Sequence, residues 1–269
     1  MIMKIGLVQM NSRDSKKDNL LSAETLIRKL AKSGVELVML PEHFDFIGPD
    51  HEKPGQAEPL ESSRSLEFIR NIAVDLKIYI HIGSFLERDG DRVFNTAVVF
   101  DPSGEVCARY RKIHLFDVEI PGGRTYLESD TISPGDETTL FTVGDFVFGM
   151  ATCYDLRFPE LFRRLVEQGA EVLLLPAAFT LETGRDHWEL LLRARAVENQ
   201  CWVAAAGQWG TSPPNHNSYG RSMIVDPWGV VVAQAADGVS TVVGKLDKER
   251  LRSIRTTFPS LSHVRKDLF

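Results

Sequence analysis

The sequence predicts an α/β protein built as a four-layer α-β-β-α sandwich, and three observations carry that prediction. Short, wholly apolar runs at residues 37–40 and 172–175 have the length and composition of strands buried on both faces. Amphipathic helical stretches alternate with such runs, so each half of the chain reads β-α-β-α. Each half then passes into hairpin strands marked by Gly, Asp and Pro turns. Two sheets packed face to face, with helices outside, satisfy both halves at once. No residue-level repeat relates the halves and nothing marks a linker, so residues 1–269 are expected to form one domain.

In order, residues 4–10 form the first expected strand. A helix over 18–33 follows, with Leu20, Ala23, Ile27, Leu30 and Ala31 on one stripe and Gly34 closing its end. The strand at 37–40 ends at Pro41-Glu42. After a Gly- and Pro-punctuated loop over 44–59, a helix over 61–76 aligns Leu66, Ile69, Ala73 and Leu76. Strands at 79–86 and 93–100 are joined through Asp89-Gly90-Asp91, and Asp101-Pro102-Ser103-Gly104 turns the chain into a strand at 106–111. Residues 113–137 have little periodicity and contain Pro121-Gly122-Gly123; loops of that length are usually functional or mobile. Strands at 139–143 and 146–152 pair around Gly144-Asp145. A helix over 159–168, a strand at 172–175 and a helix over 187–199 renew the α/β rhythm. Strands at 202–206, 222–225 and 230–235 follow, the last two joined by Asp226-Pro227-Trp228-Gly229. A short strand at 242–246 and a helix over 247–257 precede the tail.

With 269 residues and 43% hydrophobic content, the chain has ample material for a large core. A net charge of −6, spread without long blocks of either sign, points to neither a nucleic-acid nor a membrane surface. The apolar part of the first ten residues is too short and interrupted for a signal peptide or a spanning helix, so the expected location is the cytoplasm. Its three cysteines, Cys107, Cys153 and Cys201, form no CxxC or Cys/His cluster, so neither a disulfide framework nor a structural zinc is expected. No metal or cofactor is called for.

The chemistry concentrates at strand ends. Cys153 terminates the apolar strand at 146–152 and is followed at once by the helix-initiating Phe158-Pro159-Glu160. Such a strand-to-helix turn lifts a nucleophile out of the backbone path and aims the next N–H, that of Tyr154, at the same reacting atom. Glu42 and Lys112 likewise stand just past strand ends, where side chains of neighbouring strands converge. A thiol, a carboxylate and an ammonium form a coherent set for acyl transfer. Glu42 takes the Cys153 proton and passes it to the leaving amine, while Lys112 and the Tyr154 N–H hold the oxyanion. Desolvation raises the pKa of such a glutamate and the ammonium restrains the rise. Each residue also has a plainer reading. Cys153 would be a buried structural thiol, Glu42 a solvated turn residue and Lys112 part of a charged edge strand. His114 is a rival base in a Cys/His pair, or a hydrogen-bonded structural group. Cys107 and Cys201 read as packing residues. Arg157 is the candidate for gripping a substrate carboxylate bidentately, with an internal salt bridge to Asp155 or Glu160 as the alternative.

Over nearly its whole length the sequence resembles the nitrilase superfamily of carbon–nitrogen hydrolases. The resemblance runs through Leu40-Pro41-Glu42, Tyr110-Arg111-Lys112-Ile113-His114-Leu115-Phe116-Asp117 and Cys153-Tyr154-Asp155-Leu156-Arg157-Phe158-Pro159-Glu160. It implies a catalytic triad of Glu42, Lys112 and Cys153. It also implies that Glu128, in Tyr126-Leu127-Glu128-Ser129, is the family's second glutamate and orients Lys112 and the substrate; a solvated acid on a long loop is the alternative. Within the superfamily the sequence is similar to the branch of deaminated-glutathione amidases and omega-amidases. The marks are Phe116-Asp117-Val118-Glu119-Ile120-Pro121-Gly122, Ala177-Ala178-Phe179-Thr180-Leu181-Glu182-Thr183-Gly184, His187-Trp188-Glu189 and Ser218-Tyr219-Gly220-Arg221-Ser222-Met223. Phe179 and Thr183 resemble pocket positions of that branch, and Arg221 departs from a common histidine. The resemblance implies dimers formed through the helix bearing His187 and Trp188, which from the sequence alone is equally an amphipathic core helix.

The expected function is a cofactor-free thiol amidase. It cleaves a small linear amide bearing a carboxylate, such as deaminated glutathione or an omega-amide of a keto acid, through a cysteine thioester with release of ammonia. Metabolite repair is the role the resemblance implies, and the expected assembly is a homodimer or higher homo-oligomer. The rival readings are an N-carbamoyl amino acid hydrolase or nitrilase on the same triad, and a catalytically silent binding protein.

Overall fold

The computed structural model describes residues 1–119, 125–265 and 267–268; Pro121-Gly122-Gly123 and the end of the 116–122 motif lie outside the described residues. The first half contains β1 (Ile2–Gln9), α1 (Lys16–Ala31), β2 (Leu37–Met39), the single turn α2 (Lys53–Gln56), α3 (Arg64–Leu76), β3 (Tyr79–His81), β4 (Phe85–Asp89), β5 (Arg92–Phe100) and β6 (Val106–Arg111). A small hairpin, β7 (Asp117–Glu119) and β8 (Thr125–Leu127), leads to the second half. That half contains β9 (Leu140–Val143), β10 (Phe146–Met150), α4 (Pro159–Glu167), β11 (Val172–Ala177), α5 (Leu181–Asn199), β12 (Trp202–Gly207), β13 (Trp209–Ser212), β14 (His216–Tyr219), β15 (Met223–Val225), β16 (Val231–Gln234), β17 (Ser240–Asp247) and α6 (Lys248–Thr257).

The strands form two main sheets. One runs β17-β1-β2-β3-β5-β4, with β6 on the far edge of β5; the other runs β16-β15-β12-β11-β10-β9. Alternation along the central strands assigns the layers. Ile5, Leu7, Leu37, Met39, Val172, Leu174, Ala204 and Ala206 face a core between the sheets, joined by Phe146, Phe148 and Tyr110. The intervening Val8, Val38 and Leu40 pack under Ile27 and Leu30 of α1 and Ile69 and Ala73 of α3. On the other side Leu173, Leu175, Val203 and Ala205 pack under Leu165 of α4 and Trp188 and Leu192 of α5. The order is therefore α-β-β-α. The last long strand is more than the short segment expected: β17 pairs antiparallel with β1 over eight positions, from Ile2 opposite Asp247 to Gln9 opposite Ser240.

Several expectations need correction. The strand expected over 79–86 is two strands, both on one edge of β5 and interrupted at Gly83. There the backbone has φ +73°, and a Cβ would sit 1.8 Å from the Pro41 carbonyl oxygen, so only glycine lets the Pro41-Glu42 segment pass this close. α5 starts at Leu181, six residues earlier than expected, because Thr180 already has extended N-cap geometry and Leu181–Asn199 runs on as helix. The 113–137 segment carries the β7–β8 hairpin, and residues 209–219, where no strand was expected, form the β13–β14 hairpin. Cys107 is exposed rather than packed, because the register of edge strand β6 turns Ala108 and Tyr110 to the core. Cys201 is buried as expected. Among the described residues no helix is long and apolar enough to cross a membrane.

Candidate active site

The two central sheets deliver their strand ends to one place. β2 leads through Leu40, whose N–H bonds to the His81 carbonyl, to Glu42, which is only 2% exposed. β6 ends at Arg111 and places Lys112, also 2% exposed, with its N–H on the Asn95 carbonyl. β10 ends at Met150, and two residues of extended chain reach Cys153, where φ turns to +48°. A non-glycine residue in the left-handed region costs on the order of 1 kcal/mol and persists only where its surroundings fix it. Here the fixing elements are the short 3-10 helix Cys153–Arg157 and the strand before it.

The polar atoms form one connected cluster. Lys112 Nζ lies 3.2 Å from Glu42 Oε1 and 2.7 Å from Glu128 Oε2, so one ammonium is clamped between two carboxylates. The other oxygen of Glu42 accepts the Ala178 N–H at 2.7 Å, and Glu128 Oε2 also accepts the Phe116 N–H at 2.7 Å. Asn95 Nδ2 reaches both acids, at 2.8 Å from Glu42 Oε1 and 3.3 Å from Glu128 Oε1. The Cys153 thiol is near enough to the Glu42 carboxylate for each to shift the other's titration. Glu42, His43 and Glu128 present three atoms spaced as a metal site would space them, but the Lys112 ammonium already supplies the positive charge there.

These contacts set the protonation states. Burial favours the neutral form of Glu42, but Lys112, His43, the Cys153 thiol and the Ala178 N–H outweigh it and hold the carboxyl down at about 2. The sequence argument had the balance tilting upward; the number of partners around the carboxylate reverses it. Burial, and then the charge on Glu42, pushes the Cys153 thiol well above its ordinary value, with Lys112 acting the other way. Burial works against the Lys112 charge, yet Glu128 and Glu42 keep its pKa well above the ordinary lysine value. Burial pulls His43 down to about 4, so its imidazole is neutral. The resting cluster is carboxylate, ammonium, carboxylate and thiol. Such a set can pass a proton from sulfur to carboxylate while sulfur attacks a carbonyl, with the ammonium beside the developing oxyanion.

Eight of the residues singled out from the sequence, Glu42, Lys112, Glu128, Cys153, Tyr154, Arg157, Phe179 and Thr183, line a single cleft of about 880 Å³, its open mouth included. The Arg157 guanidinium carbon lies 5.2 Å from the Phe179 ring centroid, and Nη1 is 3.3 Å from His187 Nδ1. No ion pair joins it to Asp155 or Glu160, the alternative the sequence left open. Thr183 Oγ1 is 2.7 Å from Thr180 Oγ1. His114 is not beside the thiol: its Nδ1 is 2.7 Å from Asp155 Oδ1 and its ring stacks on Phe158 at 3.7 Å. Trp188 is fully buried and donates to the Arg221 carbonyl at 2.8 Å, as a core residue does. The sequence reading missed Asn95 and His43. Asn95 had a signal, a polar residue inside the apolar run at 93–100; His43 had only its position after Glu42.

Comparison with known proteins gives the same family. A carbon–nitrogen hydrolase family model matches residues 4–256. A deaminated glutathione amidase from Synechocystis sp. is 41% identical over 95% of this chain and 96% of its own. An omega-amidase from Homo sapiens is 38% identical over 99% of this chain and 96% of its own. The crystal structure of a Saccharomyces cerevisiae member of branch 10 of the nitrilase superfamily matches with a TM-score of 0.88 and 34% identity, over 96% of this chain and 94% of that one. The clamped ammonium, the thiol on its strained turn and these full-length matches lead to one conclusion: the chain belongs to the carbon–nitrogen hydrolase family of the nitrilase superfamily, enzymes that hydrolyse carbon–nitrogen bonds other than peptide bonds.

Proposed function

We propose that the protein is a thiol amidase for a small linear amide bearing a carboxylate, deaminated glutathione or an omega-amide of a keto acid. The observation that carries the reading is the Cys153 thiol, held at positive φ in one cleft with a Glu42 carboxylate that itself contacts the Lys112 ammonium. Glu42 takes the thiol proton as sulfur bonds to the amide carbon. The carbonyl electron pair moves onto oxygen, where Lys112 and the Tyr154 N–H receive it. As the tetrahedral adduct collapses, the C–N bond breaks and Glu42 returns the proton to nitrogen, so ammonia leaves and a thioester remains. Water, deprotonated by Glu42, then attacks the thioester; the C–S bond breaks and the thiol regains its proton. Glu128 holds Lys112 in place throughout. Arg157, unpaired with Asp155 or Glu160 and backed by Phe179, grips the substrate carboxylate. Residues 1–269 act as one catalytic domain, in the cytoplasm, as a homodimer or higher homo-oligomer.

The test is ammonia release by the wild type and Cys153→Ala against α-ketoglutaramate, deaminated glutathione, N-carbamoyl amino acids and simple nitriles. Turnover of either keto amide, lost in Cys153→Ala, is the expected result. Turnover of only a carbamoyl compound or nitrile would discard the substrate assignment and keep the triad. Silence on all four would favour a binding protein.

A further inference from the structure

One buried carboxylate joins the segment that carries Lys112 to the segment that carries Cys153. Asp155 is completely buried, and each of its side-chain oxygens accepts two hydrogen bonds. Oδ2 accepts the Tyr110 hydroxyl at 2.7 Å and the Thr152 N–H at 2.8 Å. Oδ1 accepts the His114 N–H at 3.0 Å and lies 2.7 Å from His114 Nδ1. Tyr110 and His114 stand two residues before and after Lys112; Thr152 and Asp155 stand one before and two after Cys153. β6, which leads to Lys112, belongs to one sheet, and β10, which leads to Cys153, to the other. Among the described residues no backbone ladder pairs β6 with β10; the 135–139 segment bonds to both ends, Gly135 N–H to the Lys112 carbonyl and Met150 N–H to the Thr139 carbonyl, and the remaining ties are side chains.

We propose that Asp155 is a positioning residue that fixes Lys112 Nζ relative to Cys153 Sγ, clamping both flanks of the lysine to the turn of the nucleophile. The proposal rests on the assignment of Cys153 as nucleophile and Lys112 as oxyanion partner. The donor count makes the requirement specific. Four donors converge on the carboxylate, and the Tyr110 phenol is kept protonated by burial and by the charge on Asp155. An asparagine would turn its NH2 toward two donors whichever way it was placed, so one flank must let go. Asp155 touches no reacting atom; its effect is on geometry at the step where the oxyanion forms. An ångström of misplacement there costs on the order of 100-fold in rate.

The experiment measures kcat and KM for ammonia release, and the rate of Cys153 alkylation by iodoacetamide, in the wild type, Asp155→Asn and Tyr110→Phe, each at least 15 °C, roughly two unfolding-transition widths, below its own melting temperature. Alkylation uses the thiol and Glu42 but develops no oxyanion, so it senses Lys112 only through the thiol's proton affinity and not as an oxyanion partner. The expected result is a fall in kcat of about 10- to 100-fold in Asp155→Asn, and a smaller fall in Tyr110→Phe, with KM and the alkylation rate changed by less than about threefold. Equal falls in kcat and alkylation would show damage to the nucleophile or the fold and overturn the proposal, as would an unchanged kcat. Should Asp155→Asn fail to fold, Tyr110→Phe decides by the same criteria. If alkylation of the wild type left ammonia release intact, the assignment of Cys153 itself would fail, an outcome distinct from the other two.

Discussion

Replacing Glu128 by glutamine should damage catalysis through a relay that the structure spells out. Glu128 Oε2 accepts both Lys112 Nζ and the Phe116 N–H at 2.7 Å, so a glutamine would keep its carbonyl oxygen at that position. Its NH2 would then face Asn95 Nδ2, which stands 3.3 Å from Glu128 Oε1, donor against donor. Asn95 can relieve this by flipping its amide, because its Oδ1 is buried and bonds to nothing among the described residues. The flip withdraws Nδ2 from Glu42, where it donates at 2.8 Å. Glu42 thus loses a hydrogen bond to its charged form, about 1.5–3 kcal/mol, and the lysine loses one of its two counter-charges. The fold should tolerate the change, since Lys112 still has Glu42 and no buried charge is left unpaired. If a loss of about 3 kcal/mol appears in the transition state, kcat falls about 100-fold. The assay is steady-state ammonia release with mass spectrometry of the trapped thioester. The expected outcome is a low kcat, unchanged KM and little thioester; full kcat in a folded Glu128→Gln would refute the relay.

Other perturbations separate the remaining parts. Arg157→Met should raise KM for carboxylate-bearing amides about 10- to 100-fold while kcat changes little, since it removes a charge-assisted grip made equally in ground and transition states; an unchanged KM would take Arg157 out of substrate binding. Acid should destabilise the protein from below about pH 6.5. His43 and His81 are held at about 4 and 3 by burial, so as pH falls the unfolded chain protonates first, and their contribution, complete above 6.5, drains away down to those values. Glu42, held at about 2, adds a loss that begins below about 4.5, for the same reason of sign. A melting temperature flat between pH 7 and 5 would contradict this. Gly184→Ala should cost about 1–3 kcal/mol and disturb the cleft wall, because a Cβ there would lie 2.4 Å from Tyr219 Cβ, on the hairpin strand that also presents His216; wild-type stability would refute it.

What the sequence could and could not disclose follows from the range of the interactions. Apolar runs such as 37–40 and 172–175 sit on both faces of a sheet, so composition alone identified them; the end of the first located Glu42, and the end of the apolar strand at 146–152 located Cys153. The 209–219 hairpin stayed hidden because its strands lie outside the two main sheets and are joined to the rest by isolated contacts such as the Thr180–Ser218 bridge. The break at Gly83 is also a tertiary fact, imposed by the Pro41 carbonyl rather than by neighbours in sequence. In the site, Glu42, Lys112 and Cys153 could be placed at strand ends one at a time. Asn95 could not, because its contacts to Glu42 and Glu128 span 53 and 33 residues, and only the assembled sandwich gives them meaning.

The direction of the Glu42 shift bears on how a carboxylate so reluctant to take a proton can act as a base. Judged alone, a carboxyl held at about 2 beside a thiol pushed well up makes proton transfer uphill. The cluster, however, never has to change its total charge. Before attack it holds two carboxylates and one ammonium, a net charge of −1. When the proton has moved to Glu42 and the electron pair has passed from sulfur to the substrate oxygen, the same net charge of −1 remains, with the oxyanion in place of the Glu42 carboxylate. Lys112, 3.2 Å from Glu42, neighbours the negative charge at both stages, so the transfer relocates a charge inside a fixed field and avoids creating one in a dry site. A free thiolate would keep the same net charge, but on a sulfur that burial pushes strongly toward its protonated form. Proton transfer is therefore coupled to carbon–sulfur bond formation, and the thiol rests protonated until a carbonyl is in place to receive the charge.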